Sequence, residues 1–232
     1  MNVNNRPVSI LLQKIMKTHM SIFIAIPLLL ASLWLASCSS SSAPVNKTVT
    51  VGNQVWMRHN LDVSVFRNGD PIPKANSEAE WDKAIAERTP TWCYYNYDSA
   101  NGAKYGKLYN WYAVNDPRGL APKGWHIPSN AEWDQLAGFL GGESTAGTKM
   151  KSNSGWGNNG NGTDEFGLSF LPGGYYDDDN SFDLIGFYGT WWSSTKKDET
   201  NAWFRLLAFD RTNLYKNYHD MHDVMSVRCI KD

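Results

Sequence analysis

Residues 124–142 constrain the fold of this chain more than any other stretch. Gly124-Trp125-His126-Ile127-Pro128 reads as a short extended piece running into Ser129-Asn130-Ala131-Glu132. There a hydroxyl and a carboxylate three residues apart can satisfy each other's free backbone N–H groups as a capping box. Trp133, Leu136, Ala137 and Leu140 follow at i, i+3, i+4 and i+7, one helical stripe. Gly141-Gly142 then ends the helix by taking a left-handed conformation. Beyond this point the helical period vanishes. Residues 153–164 (NSGWGNNGNGTD) form a long Gly/Asn loop, and short strand-like runs follow at Phe166–Phe170, Tyr188–Ser193, Ala202–Phe209 and Met225–Ile230. Helices first and a strand meander afterwards predict an α+β fold, with two or three short helices packed on short, mostly antiparallel strands joined by long loops.

The preceding half fits that plan. Thr48–Leu61 alternates apolar residues around Gly52-Asn53, the turn chemistry of a β-hairpin. Asn68-Gly69-Asp70-Pro71 is a turn. Ser77-Glu78-Ala79-Glu80 is another capping box, opening a helix that carries Trp81, Ala84 and Ile85 on one face and stops at Thr89-Pro90. The second half of Tyr105–Val114 reads as a short helix stopped by Asn115-Asp116-Pro117. No internal repeat is present.

The amino end belongs to a different kind of segment. Arg6, Lys14 and Lys17 precede an apolar core from Ile22 to Trp34, and Leu35-Ala36-Ser37-Cys38 closes it. A positive flank, a short apolar core and small residues at the cut make a secretory signal. The core is short for a bilayer span of about 20 residues. The closing box resembles the lipobox of bacterial lipoproteins, which implies acylation of Cys38 and cleavage before it. Residues 1–37 are thus expected to be a lipoprotein signal peptide, 38–47 a flexible tether rich in Ser, and 48–232 the domain. Met16 is an alternative initiator. Ser39, with no acidic neighbour, resembles the sorting signal of outer-membrane lipoproteins, on the periplasmic or the cell-surface face.

Of the 22 basic residues three lie in the leader, which leaves 19 against 23 acidic ones in the mature part. A net charge near −4 without a basic stripe excludes nucleic acid as a partner. Eleven Trp and eleven Tyr imply an aromatic-packed core, because large rings fill an interior served by few regular elements. Beside Cys38 there are Cys93 and Cys229, both in apolar surroundings; a disulfide between them and two buried free thiols are both compatible with the pattern.

Candidate sites follow from residue chemistry. Trp156, Trp191, Trp192 and Trp203, with Tyr175 and Tyr176, supply rings that could stack on pyranose faces. Asn158, Asn159, Asn161 and Asp164 are the polar companions of that expected glycan platform. Trp191 and Trp192 are neighbours in a strand and must point to opposite faces, which leaves one ring accessible unless another segment covers it. Core packing accounts for the same rings. Asp177, Asp178 and Asp179, with Asp183, are the carboxylates best suited to calcium, although the EF-hand spacing is absent and a solvated hairpin tip between Tyr176 and Phe182 is the better account of them. His219 and His222 stand three apart without an evident third ligand. The expectation is no cofactor and no resident metal. No nucleophile elbow, zincin or phosphate-loop motif occurs, and no catalytic residue is assigned.

The runs GNQVWMRHNL (52–61), YGKLYNWYAV (105–114), GWHIPSNAEW (124–133), LPGGYY (171–176), YGTWWSST (188–195), AWFRL (202–206) and SVRCIKD (226–232) together resemble the Fibrobacter succinogenes major paralogous domain, in the family's order and over nearly all of residues 48–232. The resemblance implies a surface or periplasmic lipoprotein of the kind found in Bacteroidetes and Fibrobacteres. More distantly, GWHIPSNAEW and the Trp-rich ending resemble the C-type-lectin-like fold of formylglycine-generating enzymes. The first resemblance implies, for many members of that family, a Cys before Gly124-Trp125 paired with the last one. Here Gly119–Lys123 has none, so Cys93 is the remaining partner for Cys229. The oxidase relatives need two reactive cysteines near the carboxyl end, and one is present, so that activity is not carried over. The chain therefore reads as a lipid-anchored, noncatalytic envelope protein for binding or adhesion, with the membrane as partner through its lipid and glycan as the favoured ligand class. A structural or assembly role beside another envelope protein, and a glycan-acting hydrolase, are the alternatives.

Overall fold

The computed structural model describes residues 47–176 and 181–232. Cys38, the tether before Lys47 and Asp177–Asp179 lie outside them. The chain opens with the expected hairpin, β1 (Thr48–Val51) and β2 (Gln54–Met57), turning at Gly52, whose φ is +62°. Helix α1 (Glu78–Glu87), strand β3 (Trp92–Cys93), the single turn α2 (Gly102–Tyr105), β4 (Leu108–Tyr109), the turn α3 (Trp111–Val114) and β5 (Trp125–His126) follow. Then come helices α4 (Asn130–Phe139) and α5 (Glu143–Met150), the small hairpin β6 (Tyr175–Tyr176) and β7 (Phe182–Asp183), and the long strands β8 (Tyr188–Lys196) and β9 (Asn201–Ala208). The chain ends with β10 (Tyr215–Asp220), β11 (Met225–Ser226) and β12 (Ile230–Lys231). The architecture is α+β, with few short helices on mostly antiparallel sheets. One sheet runs β1-β2-β12-β5 and the other β10-β9-β8-β11-β4-β3, with β8 and β11 its parallel pair.

Helix α4 realises its sequence signature. Ser129 Oγ accepts from Glu132 N, Glu132 Oε2 accepts from Ser129 N at 2.7 Å, and Trp133, Leu136, Ala137 and Leu140 are all buried. In α1 the box is half formed. Ser77 Oγ accepts from Glu80 N, but the Glu80 carboxylate takes the N–H of Asn76 instead of Ser77.

Several expectations need correction. Helical structure does not stop at Gly142, because α5 follows at once. Its Gly147 packs so closely that a Cβ there would lie 2.4 Å from the Asn213 carbonyl oxygen. Phe166–Phe170 is no strand; it makes one isolated bridge, Phe170 to Lys151. Met225–Ile230 divides into β11 and β12, which join different sheets. Ahead of it Tyr215–Asp220 forms the strand β10, which no strand signal in the sequence marks. Cys93 and Cys229 are both buried free thiols, packed in separate apolar clusters, rather than a disulfide. Burial pushes the Cys229 thiol up to about 12, well away from thiolate chemistry.

The core lies on both faces of the six-stranded sheet. Trp191 and Trp192 do split between them. Trp191 packs with Trp133, Phe170 and Leu207, and Trp192 with Trp111, Phe204 and Val227. Both rings are fully covered, with indole N–H groups donating to Asn60 Oδ1 at 2.9 Å and to the Tyr109 carbonyl at 2.8 Å.

Candidate ligand-binding face

Strand β9 lies between β8 and β10. It pairs Ala208 with Tyr188 and Leu206 with Thr190 on one side, and Leu206 with Tyr215 and Phe204 with Asn217 on the other. Side chains two apart share a face, so Tyr188, Thr190, Phe204, Leu206, Ala208, Tyr215, Asn217 and His219 stand together. Toward β11 this face is covered by core. Toward the β10 edge it opens into two adjoining depressions that share Leu206.

The first, about 150 Å³, is lined by Tyr175, Thr190, Phe204, Leu206, His219, Asp223 and Met225. Asp223 is 1 % exposed and holds His219 through Nδ1. His222 Nδ1 pairs instead with Asp220 at 2.7 Å, and its Nε2 lies 3.6 Å from Asp223. The two imidazoles thus each engage a carboxylate. Among the described residues no group of three His, Cys, Asp or Glu is placed to hold a metal.

The second depression, about 280 Å³, adds Tyr188, Ala208, Arg211, Lys216 and Asn217. Its floor is the half-buried Leu206, and Tyr215 is 38 % exposed. Tyr188 and Tyr215 stand on strands separated by β9, about 10 Å apart, staggered by two residues along it, and both line this depression. Asn217 Oδ1 accepts the Tyr218 N–H at 2.9 Å. The Lys216 ammonium turns to the other side of the sheet, 2.9 Å from Asp134, which also binds the buried Arg205. On that other side Trp203, half-buried, meets Tyr218 edge-on at 5.5 Å with Lys197 over both rings.

The expected platform is a correction. Trp156, Trp191 and Trp192 are 4 %, 0 % and 0 % exposed and form core. Their polar companions build the loop. Asn161 Oδ1 accepts the Trp156 N–H at 3.0 Å, Asp164 accepts from the Ser169 N–H and hydroxyl, and Asn158 and Asn159 turn the chain at positive φ. The loop lies against the strands that bear the open face: a Cβ on Gly160 would come within 2.4 Å of the Phe209 carbonyl oxygen. Beside it the buried Lys151 donates to the carbonyls of Ala208, Phe209 and Arg211 at 3.0, 3.2 and 2.9 Å. Asp183 accepts from the Leu184 N–H at 2.6 Å, the local geometry of a turn.

Sequence reasoning passed over Tyr188, Leu206, Arg211, Tyr215 and Asn217. The available signal was the two-residue spacing of Tyr215 and Asn217, which puts them on one strand face; the apolar alternation that usually marks a strand is missing there. A family model described as the Fibrobacter succinogenes major domain matches residues 49–231. No curated protein matches, and no solved structure does.

Proposed function

We propose that this chain, which belongs to the Fibrobacter succinogenes major domain family, is a noncatalytic envelope protein, held in the outer membrane by a lipid on Cys38, that binds glycan on the open face of β8, β9 and β10. The observation that carries the binding reading is the pair of tyrosines, Tyr188 and Tyr215, flanking an apolar floor at Leu206 and Ala208. Tyrosine rings stack on sugar faces at low entropic cost and keep a hydroxyl for the sugar's own groups. Concave surfaces with an apolar floor and a few polar groups are where small ligands settle.

The lipid anchor rests on the box Leu35-Ala36-Ser37-Cys38. Among the described residues no helix is long and apolar enough to cross a membrane. A C-type-lectin-like fold is part of the same proposal. It is supported by the first hairpin pairing with the last strand, Trp56 opposite Ile230, and by long loops gathered around a small sheet. A scaffolding role in the envelope is the second reading, favoured by the burial of Trp56, Trp81, Trp133, Trp191 and Trp192 as core.

The test uses the full chain in detergent on a glycan array, with wild type and Tyr215→Ala compared. The proposal expects a glycan class retained by wild type and lost by Tyr215→Ala at unchanged melting temperature. Metabolic labelling with a palmitate analogue, lost in Cys38→Ala, tests the anchor separately. An array blank for wild type transfers the function to scaffolding, and equal label in the Cys38 variant removes the lipid.

A further inference from the structure

The tyrosine face ends at an arginine whose charge the fold leaves turned outward, and this geometry points to the ligand's chemistry. Resting on the glycan reading, we propose that the groove between Tyr188 and Tyr215 takes an acidic polysaccharide, one bearing carboxylates on its pyranose rings, with a carboxylate received by Arg211.

The Arg211 side chain is 60 % exposed, and its ion pair is a loose one, Nε to Asp210 at 3.6 Å. Its two Nη groups have no hydrogen-bond partner among the described residues and keep the fork that receives a carboxylate bidentately. The backbone beneath is fixed. The Arg211 N–H donates to the Ala208 carbonyl at 3.3 Å, and its own carbonyl is one of three that hold the Lys151 ammonium. The guanidinium therefore leaves the sheet from a set point at the Ala208 end of the groove, so little ordering of the main chain accompanies binding.

The other lining residues sharpen the choice. Lys216 has its ammonium committed to Asp134 across the sheet, so Arg211 is the lining cation turned toward a ligand. Among the described residues no carboxylate lines this depression. Asn217 spends its Oδ1 on the Tyr218 N–H and offers an amide donor. An apolar floor, two phenol rings, an amide donor and one guanidinium match a sugar ring with a single negative group. A bare polyanion would need a field, and the region 38–232, with 19 basic against 23 acidic residues, presents the opposite one. Recognition must be local, through ring and charge together.

The experiment measures binding of the full chain in detergent to polygalacturonate, to the same polymer fully methyl-esterified, to dextran and to polyglutamate. Esterification removes the charge and keeps the ring. Wild type is expected to bind the acid form about tenfold or more tightly than the ester. Arg211→Gln should level the two, and Tyr215→Ala should weaken both; thermal melting confirms that both variants fold. Equal wild-type affinity for acid and ester forms overturns the acidic-sugar assignment while the glycan reading stands. Polyglutamate binding as tightly as polygalacturonate overturns it in favour of simple charge attraction. No binding to any polysaccharide on these probes or on the array overturns the glycan reading itself.

Discussion

Trp156 sits among Gly and Asn residues, where a side chain is usually free to change, yet it is 4 % exposed and packs in the same cluster as Trp133 and Trp191. Its indole N–H donates to the Phe170 carbonyl at 3.0 Å, and the Lys151 ammonium lies 5.4 Å from its ring. Replacing it removes a buried aromatic and one of the two N–H donors to the Phe170 carbonyl, the other being that of Ser152, and opens a cavity beside Lys151. Trp156→Ala should therefore cost about 3–5 kcal/mol, the range for a core aromatic, and lower the urea midpoint as much as Trp133→Ala. A loss under about 1 kcal/mol, as for a surface position, would return Trp156 to the candidate ligand surface. Loop composition here reports close backbone approach: Gly157, Gly160 and Gly162 are small because ring and backbone atoms occupy the Cβ position.

At the scale of elements, β5, α4 and the chain end meet at one imidazole. His126 Nδ1 lies 2.8 Å from Asp232 Oδ1, and Nε2 lies 2.7 Å from Glu132 Oε1, the same carboxylate that closes the capping box. Burial works to lower the His126 pKa, but the two carboxylates outweigh it and raise it above 6.5. Glu132 is likewise opposed by burial, yet bonds from Ser129 and His126 hold it below 4.5. The raised histidine contributes stability that is complete below 6.5 and fades as pH climbs through its native value. The lowered glutamate contributes stability present above 4.5 and lost as pH falls through its own native value. Urea midpoints measured from about pH 5 to about pH 9 should decline on the alkaline side, and His126→Gln should flatten that decline. An unchanged slope in the variant would mean that the decline belongs to other groups.

How much of this was legible varies by element. The α4 box and stripe were plain, because local hydrogen bonding and a 3.6-residue period both live in the sequence. Helix α5 was not, since Gly147 and three Ser/Thr residues argue against a helix that packing against Thr212 and Asn213 imposes. Strand β10 was hidden because its residues are mostly exposed and polar, so that backbone pairing with β9 alone defines it. The opposed faces of Trp191 and Trp192 could be read from strand alternation. What covers each ring depends on long-range register, and so does the neighbourhood of Tyr188, Leu206 and Tyr215.

Over the whole molecule the two ends of the domain close one sheet. β12 is one of its two inner strands: Ile230 pairs with Trp56 of β2 on one side and His126 of β5 on the other. The Met57 N–H donates to the Cys229 carbonyl at 3.0 Å, and the Leu61 N–H to that of Val227 at 2.8 Å. Without β12 the β1–β2 hairpin has no neighbour, and a lone two-stranded hairpin is marginal in water. Trp56, fully buried beneath this seam, would lose its cover. The Arg228 guanidinium, which donates to the Met57 and Leu168 carbonyls and to Asn60, would lose the pairing that holds Met57 in place. A chain stopped after Arg228 should therefore lack a cooperative near-UV circular dichroism transition. One stopped after Lys231, which gives up Asp232 alone, should melt cooperatively with a reduced alkaline slope. Because these contacts join residues so far apart in sequence, wild type should also refold slowly for its size and show one transition by fluorescence and circular dichroism. If the chain stopped after Arg228 melts as sharply as wild type, the hairpin is held by α4 and the loops, and the closing role of β12 fails.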